Sequence, residues 1–132
     1  MDASESRILI ADPDPDICRT LRIYFENSGH EVQTVDLASD IVRLARPWQP
    51  NAILISDEFA DKDPHQVCRE LLTDTLTSHI PVIMLLQINE RRTRLQALEA
   101  GVTDIIIKPF DVEELQLRVE AAVRLSTMRA GV

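Results

Sequence analysis

Three glycines in 132 residues leave no glycine-rich phosphate loop, so nucleotide or flavin binding lacks its usual signature. Two cysteines, Cys18 and Cys68, are too few for a disulfide framework or a cysteine metal cluster. Both sit among apolar residues at helical spacing, which predicts two buried, reduced thiols. The three histidines, His30, His65 and His79, fall on turns and helix starts without metal-ligand spacing and are expected at the surface. No apolar run approaches the ~20 residues that cross a bilayer, and no membrane association is expected. Basic residues are the minority, 14 Lys and Arg against 22 Asp and Glu. The resulting net charge of -8 argues against a nucleic-acid surface, which needs clustered cations. The polar, acidic start from Met1 to Ser6 is the opposite of a secretory signal, and a cytoplasmic protein is expected.

What is present is the composition of one soluble domain, 45% hydrophobic and 27% charged. Apolar runs alternate five times with amphipathic stretches. Ile8 to Ala11 is a short buried strand, followed by a helix with Ile17, Leu21 and Phe25 on one stripe and closed by Gly29. Val32 to Val35 alternates, as an edge strand does, and Leu37 to Arg46 reads as a short helix ending before Pro47. Trp48, between two prolines, is placed to cover the loop into the next strand, Ala52 to Ile55. After a charged loop, Pro64 starts a helix carrying Val67, Leu71 and Leu72. Pro81 to Leu86 is the fourth strand, and Arg91 to Ala100 a charged helix with Leu95 and Leu98 facing inward. Ile105 to Ile107 is the fifth strand. A last helix from Val112 to about Thr127 carries Leu115, Val119 and Val123 on one face.

Strict alternation of strands and helices predicts an α/β domain, a parallel sheet covered by helices on both sides. The domain is expected over residues 7–127, with an N-terminal tail at 1–6 and, at 128–132, a C-terminal tail or the start of a linker.

The run from Ile8 through Ala11-Asp12-Pro13-Asp14-Pro15-Asp16 to Ile17 resembles the start of bacterial response-regulator receiver domains. So does Ala97-Leu98-Glu99-Ala100-Gly101 through Asp104 to Lys108-Pro109-Phe110, followed by Glu114-Leu115. The resemblance covers roughly residues 7 to 125 and implies a flavodoxin-like, doubly wound five-stranded sheet of order 2-1-3-4-5 with five helices. It also implies a pocket at the carboxyl ends of the strands. There, an aspartate accepts a phosphoryl group from a histidine kinase, two acids hold Mg²⁺, a hydroxyl residue contacts the phosphoryl oxygens and a lysine pairs with them.

Carried over position by position, that constellation is incomplete. Asp12 matches the first acid, but Pro13 stands at the second, and Asp14 lies one place too far along to inherit the role. Ser56 falls at the phosphoacceptor position, with Asp57 the alternative one residue on. Successive strand side chains point to opposite faces, so Asp57 turns away from the pocket if Ser56 faces it, unless a bulge re-aims it. Leu86 replaces the hydroxyl residue, and Ile105 stands where the family often carries an aromatic. Lys108 and Pro109 match, and the resemblance implies a cis peptide between them that aims Lys108 at the pocket.

The sequence therefore predicts a receiver-like module of a two-component system, a pseudo-receiver that is not an enzyme, works without phosphorylation and needs no cofactor. Its partners are expected to be proteins, a histidine kinase or an effector. Resemblance to receivers attached to DNA-binding domains implies a dimer through helix 4, strand 5 and helix 5, where Glu99, Asp104 and Arg118 match ion-pair positions and Arg94 is counted with the interface. Two alternatives stand beside this reading. One is a phosphorylatable receiver in which Asp12 and Asp57 hold Mg²⁺; the other is a flavodoxin-like small-molecule binder.

Overall fold

The computed structural model describes the backbone of residues 6–130 and the side chains of residues 6–126. In chain order the elements are β1 (Arg7–Ala11), α1 (Pro15–Asn27), β2 (Glu31–Val35), α2 (Ile41–Trp48), β3 (Ala52–Ser56), α3 (Pro64–Thr73), β4 (Val82–Leu86), α4 (Arg91–Glu99), β5 (Asp104–Ile107) and α5 (Val112–Ala130). All four strand pairings are parallel, and the sheet order is β2-β1-β3-β4-β5. This is the doubly wound flavodoxin-like arrangement. The expected tails fall at 1–6 and 128–132: residues 1–5 and 131–132 lie outside the described ones, while α5 continues through Met128 and Arg129 to Ala130.

Period-two alternation sorts the strand side chains into two cores. Ile8, Ile10, Ala52, Leu54, Ile83, Leu85 and Ile106 point to one face, where Leu21 and Phe25 of α1 and Leu115 and Val119 of α5 cover them. Leu9, Ala11, Ile53, Ile55, Val82, Met84 and Leu86 point to the other, beneath α2, α3 and α4. The three central strands β1, β3 and β4 are therefore apolar at nearly every position, because both of their faces are covered.

Local signals set the helix starts. The Asp14 carboxylate accepts the Asp16 N–H to cap α1, and Asp63 does the same for His65 N–H at α3; each cap is followed by a proline in the first turn. Gly101 ends α4 at φ +90, a left-handed conformation that favours glycine. Among the described residues, no helix is long and apolar enough to cross a membrane.

Three expectations are corrected. The second helix does not end before Pro47. A 3-10 turn occupies Ala38–Asp40, with the Ala38 and Ser39 N–H groups donating to the Asp61 carboxylate, and α2 then runs through Pro47 to Trp48. Proline costs only one helical hydrogen bond in the last turn, and Gln49, left-handed at φ 55, closes the helix instead. Leu95 and Leu98 do not face inward: they are 38% and 52% exposed, while Ala97 and Ala100 are fully buried. Small residues let the short helix approach the sheet closely, so its phase follows the alanines. His30 is not a surface residue. It is 8% exposed, edge-on to Phe25, with its Nε2 3.8 Å from Glu120 Oε2.

Candidate functional site at the carboxyl ends of the strands

The ladder continues one residue past β1, β3 and β5. Asp12 N–H donates to Val35 O, Asp57 N–H to Leu85 O and Lys108 N–H to Leu86 O. Strand alternation consequently still governs the side chains just beyond the sheet. Asp12 continues the face of Ile8 and Ile10, Ser56 that of Ala52 and Leu54, and Lys108 that of Ile106. Three side chains distant in sequence thus emerge on one side of the sheet's upper edge.

They meet there. Lys108 Nζ donates to Asp12 Oδ2 at 2.9 Å and to Ser56 Oγ at 3.4 Å. β1 and β5 are separated by β3 and β4, so the lysine reaches over the ends of both to close the crevice. The charged pair is secluded, with side chains 8% (Lys108) and 1% (Asp12) exposed, and Ser56 is fully buried. The other carboxylate oxygen of Asp12 accepts the Asp14 N–H at 2.8 Å. Ser56 Oγ accepts the Glu58 N–H at 3.0 Å. The contacts made by this hydroxyl are both to donors, so none of them can take its proton and make it a nucleophile.

Asp57 takes the opposite direction. β3 pairs with β4 in continuous register up to Ser56 and Leu85, without a bulge. The half-buried Asp57 carboxylate accepts the Gln87 N–H at 3.3 and 3.4 Å. Burial holds its pKa above the usual carboxylate value, against the opposing pull of the Gln87 N–H and the Lys108 charge.

Of the remaining residues counted with the pocket, Leu86 is fully buried in the cluster under α2, α3 and α4. Asp14 is an exposed helix cap. The Asp14 carboxylate bonds the Asp16 N–H, and neither its side chain nor Leu86 bonds to Asp12, Ser56 or Lys108. The Lys108–Pro109 peptide is cis. Ile105 is half-buried against the α2–α4 side. On the outer surface, Arg118 bonds Asp104 at 3.1 Å and Glu114 at 3.4 Å within the same chain. Arg94 and Glu99 lie exposed on α4.

Glu58 and Gln87, which contact each other beside Asp57, were not singled out in the sequence. Their positions, two residues after β3 and directly after β4, are the signal that marks them, since open α/β sheets gather polar contacts there.

A Mg²⁺ ion, implied by the resemblance, does not fit this donor set. Mg²⁺ demands several oxygen ligands in near-octahedral geometry. Asp12 spends one oxygen on Lys108 and the other on the Asp14 N–H, Pro13 offers no side-chain ligand, and Ser56 is a neutral hydroxyl. Among the described residues, no group of three or more His, Cys, Asp or Glu side chains is placed to hold a metal.

Comparison with known proteins bears on the same region. The chain is 36% identical over 118 residues to the DNA-binding dual master transcriptional regulator RpaA of Synechocystis sp., covering 89% of this chain and 49% of RpaA. It is 31% identical over 121 residues to the transcriptional regulatory protein ResD of Bacillus subtilis, covering 92% of this chain and 49% of ResD. The chain thus spans about half the length of these curated relatives. A two-component response regulator from Clostridium difficile, known from its crystal structure, superposes with a TM-score of 0.84 at 27% identity, over 91% of this chain and 97% of that one. The family described as response regulator receiver domain matches residues 8–120. With that match over most of its length, and with the 2-1-3-4-5 sheet and the crevice at its carboxyl edge, this chain belongs to the response regulator receiver domain family.

Proposed function

We propose that this receiver domain signals without being phosphorylated, as a docking module whose pocket holds a permanent ion pair. The observation that carries the reading is Ser56. The side chain beside Asp12 and Lys108 is a hydroxyl with donor contacts, not a carboxylate. Phosphoryl transfer needs an acceptor oxygen in line with the donor and cations to neutralise the charge that develops. Here the position is neutral, and the lysine is already paired. On this reading the domain is a signalling module rather than an enzyme, it requires no cofactor, and Asp12 and Lys108 keep the pocket closed structurally.

Protein partners follow from the family: a histidine kinase upstream, or an effector domain or protein downstream. The names of RpaA and ResD speak of transcriptional regulation, and we carry over to this chain only the idea of controlling such an output. The net charge of -8 disfavours direct nucleic-acid contact by this domain and suits a cytoplasmic protein-binding role. The face made by α4, β5 and α5 serves as the dimer surface in this reading, with Arg94, Glu99, Asp104 and Arg118 at its rim and exposed Leu95, Leu98 and Leu117 adding apolar area.

The test is to incubate the domain with Mg²⁺ and acetyl phosphate and measure its mass. No gain is expected. A second reading has one observation in its favour: the Asp57 carboxylate lies at the strand end, half-buried and within the field of Lys108. A phosphoryl gain that disappears in Asp57→Ala would establish that second reading and end the first.

A further inference from the structure

Charge counting over the pocket goes a step beyond its silence toward phosphate, and it rests on the site as read above. The buried partners are one carboxylate, Asp12, and one ammonium, Lys108, 2.9 Å apart. Their sum is zero. Ser56 and Pro13, at the other ligand positions implied by the family, contribute none, and the half-buried Asp57 carboxylate bonds the Gln87 N–H rather than the pair. A dication entering here would bring two uncompensated charges into a site whose side chains are at least nine-tenths buried, and such charge is costly unless paired. It would also have to displace an ammonium already seated on Asp12 Oδ2.

We infer that Lys108 is the pocket's built-in cation: it takes the position of a divalent ion on Asp12, so the site is Mg²⁺-independent and becomes a metal site only when two carboxylates are added. Both additions lie where this chain departs from its family, Pro13→Asp and Ser56→Asp. The double variant carries three carboxylates against one ammonium, a deficit of two positive charges that matches one divalent ion. Ser56 is fully buried next to Lys108, so an aspartate there adds its charge inside the crevice. Pro13 is exposed and immediately follows Asp12, so its replacement adds an oxygen ligand at the crevice mouth without touching the core.

The experiment compares thermal unfolding in about 10 mM MgCl₂ with unfolding in NaCl of equal ionic strength, because a ligand that binds only the folded state raises its midpoint. The natural chain is expected to melt at the same temperature in both salts. Pro13→Asp/Ser56→Asp is expected to melt about 5 °C higher in MgCl₂, as ligand linkage predicts for millimolar affinity. Mg²⁺ stabilisation of the natural chain that is lost in Asp12→Asn would overturn the inference. So would a folded double variant indifferent to Mg²⁺. If the double variant does not fold, the natural chain and Asp12→Asn decide alone. Asp12-dependent stabilisation of the natural chain by Mg²⁺ without phosphoryl gain sinks this inference and leaves the functional reading in place. A phosphoryl gain on Asp57 without Mg²⁺ stabilisation of the natural chain does the reverse.

Discussion

Lys108 Nζ and Asp12 Oδ2, 96 residues apart in the chain, face each other at 2.9 Å across the carboxyl edge of the sheet. The contact joins β5 to β1 over the tops of two intervening strands. It ties the loop that enters α5 to the loop that enters α1. Within low-dielectric surroundings such a pair is costly to assemble but more costly to break, since removing one partner strands the other charge.

Lys108→Met is therefore expected to destabilise the domain by about 3–5 kcal/mol, because Asp12 is left buried and unpaired. Asp12→Asn/Lys108→Met removes both charges and should recover most of that loss. Urea denaturation of the two single variants and the double variant gives the coupling, which is the loss recovered plus the cost of Asp12→Asn alone and is expected to be at least about 3 kcal/mol. A coupling of zero would show that the two side chains act independently.

Asp57→Asn should raise stability at neutral pH. Burial keeps the Asp57 carboxyl above its ordinary value, partly offset by the Gln87 N–H and then by Lys108. The folded chain thus holds the proton more tightly than the unfolded chain, and stability falls as the pH climbs from the unfolded value through the folded one. Asparagine keeps an acceptor for Gln87 but never ionises. Its advantage should vanish as the pH drops below about 4, where the unfolded carboxyl is protonated as well. Midpoints measured from pH 3.5 to 7.5 give the sign directly.

Gly101→Ala should cost about 1–2 kcal/mol, the penalty of a left-handed backbone for a residue with a Cβ. Position 101 lies at φ +90, and an added Cβ would stand 2.6 Å from Leu72 Cδ2. Leu72 is 51% exposed and can swing aside, so the backbone penalty should dominate. Adding Leu72→Ala should recover little of it, as guanidinium titrations of both variants would show.

Cys68 should resist thiol reagents in the folded chain. Burial pushes its pKa to about 12, and it is 2% exposed, so almost no thiolate is available at neutral pH. Its labelling by a chromogenic disulfide should require unfolding. Rapid labelling in native buffer would mean that α3 opens locally.

Helix phase shows where pattern reading stops. In α1 the apolar stripe is long enough that its core, Leu21 and Phe25, was evident from spacing alone, and both are fully buried. In α4 the leucines and the alanines form rival stripes on a short, charged helix. Hydrophobicity favours the leucines, but the space between helix and sheet fits Ala97 and Ala100. His30 is a similar case. A turn histidine is normally solvated, and only the packing of Phe25 and the nearness of Glu120 bury this one.

The order of strands and helices, the caps at Asp14 and Asp63 and the glycine stops are local, because each depends on residues a few positions apart. They were determined by the amino-acid sequence on its own, as was the absence of a carboxylate at position 56. What Ser56 and Asp57 face was not. That depends on whether β3 keeps its register on β4 to the last residue, and the hydrogen bond from Asp57 N–H to Leu85 O extends the ladder past the strand's end. The meeting of Asp12 with Lys108 likewise exists only once β3 and β4 have set the spacing between β1 and β5. Side-chain direction at a strand's end is a property of the pairing, and pairing is made between segments far apart in the chain.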